Sequence, residues 1–428
     1  MRIYRLSELT PEKKEKIMRR AEIDIEAAMR SAREIIDDVR ARGDVAVREY
    51  TKKFDGVDIE PSHFLVSRKE MGEAECSLAP ELKRAIRRAA RNIERFHRRQ
   101  MPKAFELEVE KGIVVGRRIL PFQRAGIYVP GGKALYPSVV LMLGIAAKVA
   151  GVKEIIMCTP PQAAKGACLY AASLCGARVY RVGGVPAIAA MAYGTESIPK
   201  VSVIAGPGNP YVVAAQKVVS ETVRIPFLPG PSEGMVLADG HANPHFVALD
   251  VLSEAEHGPD SAGVLVTNSE SLAVAVKKEA SEILHLLPEP RRSYIEENMK
   301  KYSCAVITNT LEEAIEFANE YAPEHIVVNT KNAPSVARMI KNAGTVCIGE
   351  YTPITLGNFI AGTNAILPTG GRAKLYSGIS VETFLRMPTY EKASKHGLAR
   401  VANDIALMSN YEGFPAHTLS VKKRINQY

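Results

Sequence analysis

The segment SEAEHGPD, Ser253 to Asp260, sets a carboxylate, Glu254, three residues ahead of an imidazole, His257. On a helix, residues three apart share a face, so these two side chains can grip one divalent cation. The plainer reading is that they only pair with each other. A second carboxylate–imidazole pair, Glu324-His325, stands at the head of the β-branched run HIVVNT. A carboxylate beside an imidazole can take up and return protons as a general base and acid. Taken alone, such a pair before a strand is more often a surface pair. A third feature is a set of turn glycines: Gly131-Gly132, Gly183-Gly184 and Gly206-Pro207-Gly208. Glycine lets a backbone approach a phosphate closely. No strict G-x-G-x-x-G is present, so on spacing these glycines serve equally well to close tight turns.

These groups need elements to position them. Residues 1–100 read as mostly helical, with apolar residues at helical spacing in runs 23–42 and 81–99. After Arg117 short β-branched runs alternate with helical patterns. GIYVP, EIIMCTP, RVYRVGG and VSVIAGPGN are each followed by an Ala-rich or Val-rich helical stretch. This is the pattern of βαβ units and a parallel sheet. FLPGPSEG, 227–234, breaks the run, and GVLVTNS, CAVITNT, HIVVNT and GTVCIGEYTP resume it. The expectation is an α/β protein with two Rossmann-like parallel-sheet domains and helical N- and C-terminal segments.

Composition narrows the class. The 428 residues suffice for two or three domains, and 46% hydrophobic with 24% charged residues is ordinary for a soluble globular protein. The basic, polar N-terminus has no apolar core, so it is not a secretory signal. The apolar stretch 136–151 is interrupted by Lys148 and too short to span a bilayer. A cytoplasmic protein without a membrane partner is expected. The net charge of +9 is densest from Lys83 to Arg99, where the basic residues form the solvated face of an amphipathic helix. No nucleic-acid motif accompanies it, so the charge is read as a field that attracts anionic ligands. The six cysteines form no C-x-x-C pair, and neither a disulfide nor a catalytic thiol is expected.

Longer motifs carry a resemblance. GIYVPGGKALYPSVVLM, GTESIPKVSVIAGPGN, GPSEG, SEAEHGPD, NEYAPEHI, LGNFIAGTNAILPTGG and EGFPAH resemble, in order and spacing, the histidinol dehydrogenase family. The resemblance implies an intertwined homodimer whose C-terminal tail completes the partner's site. It implies an NAD- and Zn2+-dependent oxidation of a primary alcohol to a carboxylate through a bound aldehyde. It divides the chain into an N-terminal helical segment (1–25) and a first α/β domain (26–127 plus 234–375) with the catalytic dyad and metal ligands. The remainder is an NAD-binding α/β domain (128–233) and a helical tail (376–428).

Residue by residue, the resemblance makes His325 the group that exchanges the hydroxyl proton and Glu324 the base for water. The family's metal ligands Gln, His, Asp and His align with Glu254, His257, Asn358 and His417 here. Carboxylate and amide have changed places, so the ligand charge is the same. Asn358 either ligates the metal or bonds the substrate. Tyr128 and Asn209 are kept as cofactor contacts, and Pro186 replaces a cofactor-binding Gln with a side chain that cannot donate. Ser138, Ser232 and Glu412 are kept for the substrate, and Ala365 replaces a pocket histidine. A site built to bond one polar substrate rejects analogues that leave its groups unpaired. The exchanges therefore favour a small polar alcohol other than L-histidinol, such as 2,3-dihydroxypropane-1-sulfonate. L-Histidinol is the alternative, and a non-catalytic ligand-binding protein on the same fold is a third reading.

Overall fold

A computed structural model describes residues 1–20, 25–132 and 134–425. The start of the run read from residue 23 and Lys133 of the GGK turn lie outside the described residues. Two parallel sheets dominate. The smaller has the order Ala177–Arg181, Glu154–Thr159, Arg124–Tyr128, Val203–Ala205. This is the winding of half a Rossmann fold. The larger runs Arg2–Arg5, Cys304–Ile307, Ala262–Thr267, Glu233–Ala238, His325–Asn329, Thr345–Ile348, with every pair parallel. Glu154–Thr159 and Ala262–Thr267 are almost wholly buried because helices cover both faces of each sheet. This explains their continuous apolar sequences.

On one face of the smaller sheet lie the helices Pro80–Arg99, Pro137–Ala150 and Gly166–Cys175. On the other lie Glu26–Arg42, Gly184–Tyr193 and Pro210–Val219. Side chains such as Ile127, Leu143, Ile188 and Ile36 are fully buried between these layers. Each such burial contributes roughly 1.5–3 kcal/mol. The packing is close enough that a Cβ on Gly144 would come within 2.5 Å of Cys175 Sγ.

Three expectations change. Residues 26–127 were grouped with 234–375, but Ala32 and Ile36 share a core with Ile188 and Val212 of the smaller sheet's layer. The N-terminal segment is not purely helical, because Arg2–Arg5 adds an edge strand to the larger sheet. The tail is not purely helical either. Thr389–Ala393 pairs antiparallel with Ile113–Arg117, which pairs with Phe105–Glu110. Beyond it the helices Lys395–Tyr411 and Pro415–Ile425 leave Leu407, Met408, Tyr411 and Phe414 exposed in the single chain. Among the described residues no helix is long and apolar enough to cross a membrane. The cysteines are free, and only Cys76 is exposed.

Candidate active site

A cleft of about 1430 Å³ separates the two sheets. Its walls come from opposite strand ends. The smaller sheet contributes turns after its strands: Tyr128 to Gly132, Pro160, Gly183-Gly184 and Pro207 to Asn209. The larger contributes residues before or at the start of its strands: Ser232, Glu254, His257, Ser261, Glu324 and His325. Asn358, in a π-helical turn, and Ala365 close one side.

Glu254 sits in the last turn of the helix Pro244–Ala255, and the chain makes one more turn to His257. This keeps the three-residue relation, with His257 Nε2 3.8 Å from Glu254 Oε2. Glu254 passes over the preceding strand at Gly234. A Cβ there would stand 2.6 Å from Glu254 Cγ, so only glycine leaves the carboxylate its place. The Asn358 amide nitrogen lies 3.4 Å from Glu254 Oε1, and its Oδ1 is buried without a partner. Ligands on a tetrahedral Zn2+ lie about 3.4 Å apart, given metal–ligand bonds near 2.1 Å. The 3.8 Å between Glu254 and His257 is therefore close to what such an ion requires, and Asn358, whose Oδ1 has no partner, lies next to that carboxylate. Glu254, Glu324 and His325 also converge, with potential ligand atoms within 4.8 Å of one another.

Glu324 and His325 are both buried. His325 Nδ1 lies 3.9 Å from Glu324 Oε2 and 4.0 Å from Glu254 Oε2, beyond hydrogen-bond range, and neither ring nitrogen has a partner. Burial lowers the pKa of His325, partly opposed by the Glu254 charge, and favours a neutral imidazole able to accept a proton. Burial first, and Glu254 repulsion second, raise Glu324 well above the usual carboxylate range.

Among the glycine turns, Tyr128 is buried and its hydroxyl accepts from the Gly184 N–H at 3.1 Å. Burial pushes its pKa up to about 12. Asn209 caps the helix Pro210–Val219 by accepting from the Val212 N–H at 3.0 Å, so its amide nitrogen is the part left for a ligand. Pro186 is buried in the helix Gly184–Tyr193 and does not line the cleft. The cofactor contact expected there is corrected, since the turn presents the preceding Gly183, Gly184 and Val185 instead. Ser138, Ser232 and Ala365 all line the cleft. Beside Ala365, Asn364 is buried and donates to the Met142 carbonyl at 3.0 Å.

Glu412 and His417 are exposed on the tail and are not in the cleft of their own chain. The expected fourth ligand and substrate partner are thus not brought together with the rest within one chain. Sequence reasoning passed over Gly234, whose signal was the glycine inside GPSEG opening a buried strand. It also passed over Glu233, a buried acid at the start of that strand.

The model of the histidinol dehydrogenase family matches residues 18–425. The chain belongs to the histidinol dehydrogenase family. It is 42% identical over 427 residues to histidinol dehydrogenase of Methanothermobacter thermautotrophicus, covering 99% of each chain. It is 44% identical to that of Methanocaldococcus jannaschii, again covering 99% of each. The crystal structure of histidinol dehydrogenase from Elizabethkingia anophelis superposes with a TM-score of 0.93 at 36% identity, over 99% of this chain and 98% of that one. Histidinol dehydrogenase family members are oxidoreductases acting on a CH–OH group, and they use NAD and Zn2+.

Proposed function

We propose that this protein oxidises the primary alcohol of L-histidinol to the carboxylate, through a bound aldehyde. The observation that carries the reading is the Glu324–His325 pair, buried beside Glu254 and facing the glycine turns in one cleft. Near-full-length similarity to proteins named histidinol dehydrogenase supports the substrate.

When bound, NAD supplies a hydride acceptor and Zn2+ a Lewis acid. Glu254, His257 and Asn358 would hold the ion from one chain, with His417 from a second copy's tail. His325, neutral, takes the hydroxyl proton. Glu324 then takes a proton from the water that attacks the aldehyde carbon. Tyr128, Asn209 and the glycine turns hold the cofactor, while Ser138, Ser232 and the partner tail's Glu412 orient the substrate. A homodimer in the cytoplasm follows from the same reading.

A second reading is kept for a specific observation. The carboxylate at 254, the amide at 358 and the alanine at 365 alter the donor map that a ligand meets. Sequence alone puts a non-histidinol alcohol first for this reason, but the relatives lend it no support and the order reverses. Purified protein with Zn2+ and NAD is expected to form two NADH per L-histidinol. Turnover of 2,3-dihydroxypropane-1-sulfonate with none of L-histidinol would overturn the proposal.

A further inference from the structure

Glu324 is held from behind by residues the reaction does not consume. Glu233 opens the strand beside it, and the two acids clasp each other's main chain. The Glu233 N–H donates to Glu324 Oε2 at 3.1 Å, and the Glu324 N–H donates to Glu233 Oε1 at 3.2 Å. The Gly370 N–H adds a third bond, to Glu233 Oε1 at 3.2 Å. Glu233 Oε2 is ion-paired with Arg20 Nε at 2.8 Å, with both side chains at most 5% exposed. The Arg20 guanidinium lies 3.5 Å over the ring of Tyr321 and donates to its carbonyl, three residues before Glu324.

A second observation marks the same place. Among the described residues, two non-glycines have positive φ, and both belong to this clasp: Arg20 at 57° and Ala322 at 51°. Such conformations are unfavourable for L-residues and persist only where the surroundings over-determine them. Ala322 turns the chain between Tyr321 and Glu324. Arg20 ends the helix Pro11–Arg19 with its side chain turned inward.

We propose that Glu233 and Arg20 are positioning residues for Glu324. Arg20 anchors Glu233 and the Tyr321 carbonyl, and Glu233 fixes the Glu324 main chain. The Glu233 N–H ties up Oε2, so Oε1 is the oxygen presented to the cleft. Among the described residues no hydrogen bond engages Oε1. This inference rests on the proposed role of Glu324 as the base for water, which belongs to aldehyde oxidation and not to alcohol oxidation.

That separation supplies the test. The double variant Arg20→Met/Glu233→Met removes both charges and the Glu233 acceptor oxygens together, so no buried charge is left alone and the fold is expected to survive. With Zn2+ and NAD, oxidation of L-histidinaldehyde should slow about 10- to 100-fold, as for other outer positioning partners. The first NADH formed per site from L-histidinol in a single turnover should be largely retained. Arg20→Lys, which keeps the charge beside Glu233, should recover much of the aldehyde rate. An equal fall in both half-reactions, or no fall in either, would overturn the positioning role. Glu324→Gln run in parallel separates the two claims. If it stops aldehyde oxidation while the double variant does not, only the positioning inference fails. If it leaves aldehyde oxidation intact, the base role fails and the inference with it.

Discussion

Glu324 and Asp250 are both buried acids near Glu254, and they lead to different expectations. Glu324 faces the cleft beside an imidazole, so replacing it should affect chemistry more than folding. Glu324→Gln keeps shape but cannot take a proton, and acid formation should fall about 100- to 10,000-fold. One NADH per site should still form, readable as a burst in a rapid-mixing trace. A full second equivalent at the normal rate would sink the assigned role. Asp250 lies on the helix Pro244–Ala255, one turn before Glu254, and burial alone pushes it up to about 7. Its folded pKa is above the unfolded value of 3.8, so the folded state binds the extra proton between these limits. Asp250's own contribution to stability should therefore fall as pH rises from about 3.8 to about 7 and level off above. Asp250→Asn removes this loss, and should be the more stable protein at pH 8 by on the order of a few kcal/mol, but not at pH 3.5. Denaturant melts at the two values check it, and a pH-independent difference would exclude the titration.

At the element scale, the strand Glu233–Ala238 touches both Glu254 and the Glu324–His325 pair. Gly234 lies beside Met235, pairs in register with His325 and passes beneath Glu254. Gly234→Ala should displace the Glu254 side chain, lowering Zn2+ affinity about 10- to 100-fold and stability by about 1–3 kcal/mol. Zinc per subunit after dialysis, read beside a thermal melt, decides it, and full retention of zinc would count against the crossing. The buried parallel strands were legible in the sequence because EIIMCT and GVLVT are continuous apolar runs. Arg2–Arg5 was not, since an exposed edge strand reading RIYR has no such run. Thr389–Ala393 was missed for the same reason, its TYEKA being mostly exposed. The Glu254–His257 relation was legible because it is local. The Arg20–Glu233 pair was not, because it joins a helix end to a strand start far away in the chain. Pro186 was misplaced because a motif gives a position and not a direction, and its side chain is packed inside its helix layer.

At the scale of the whole molecule, one chain brings Glu254, His257, Asn358, Glu324 and His325 to the cleft and leaves Glu412 and His417 outside it. If a second copy's tail supplies the missing pair, inactive variants should complement. Glu324→Gln mixed with His417→Ala, after exchange of subunits, should regain activity, because each mixed dimer then holds one site with both native residues. No recovery, with exchange verified by mass spectrometry, would place His417 in its own chain's site or outside the reaction. The opposed strand ends that wall the cleft have an electrical consequence too. The turns after the smaller sheet's strands open helices such as Pro210–Val219, whose amino ends carry partial positive charge. Before the larger sheet's strands, the helices Pro244–Ala255 and Leu311–Tyr321 finish, and their carboxyl ends carry partial negative charge. The space between is therefore polarised before any ligand arrives, anion-seeking on one bank and cation-seeking on the other. Such a field favours an anionic group on the first bank and a cation on the second.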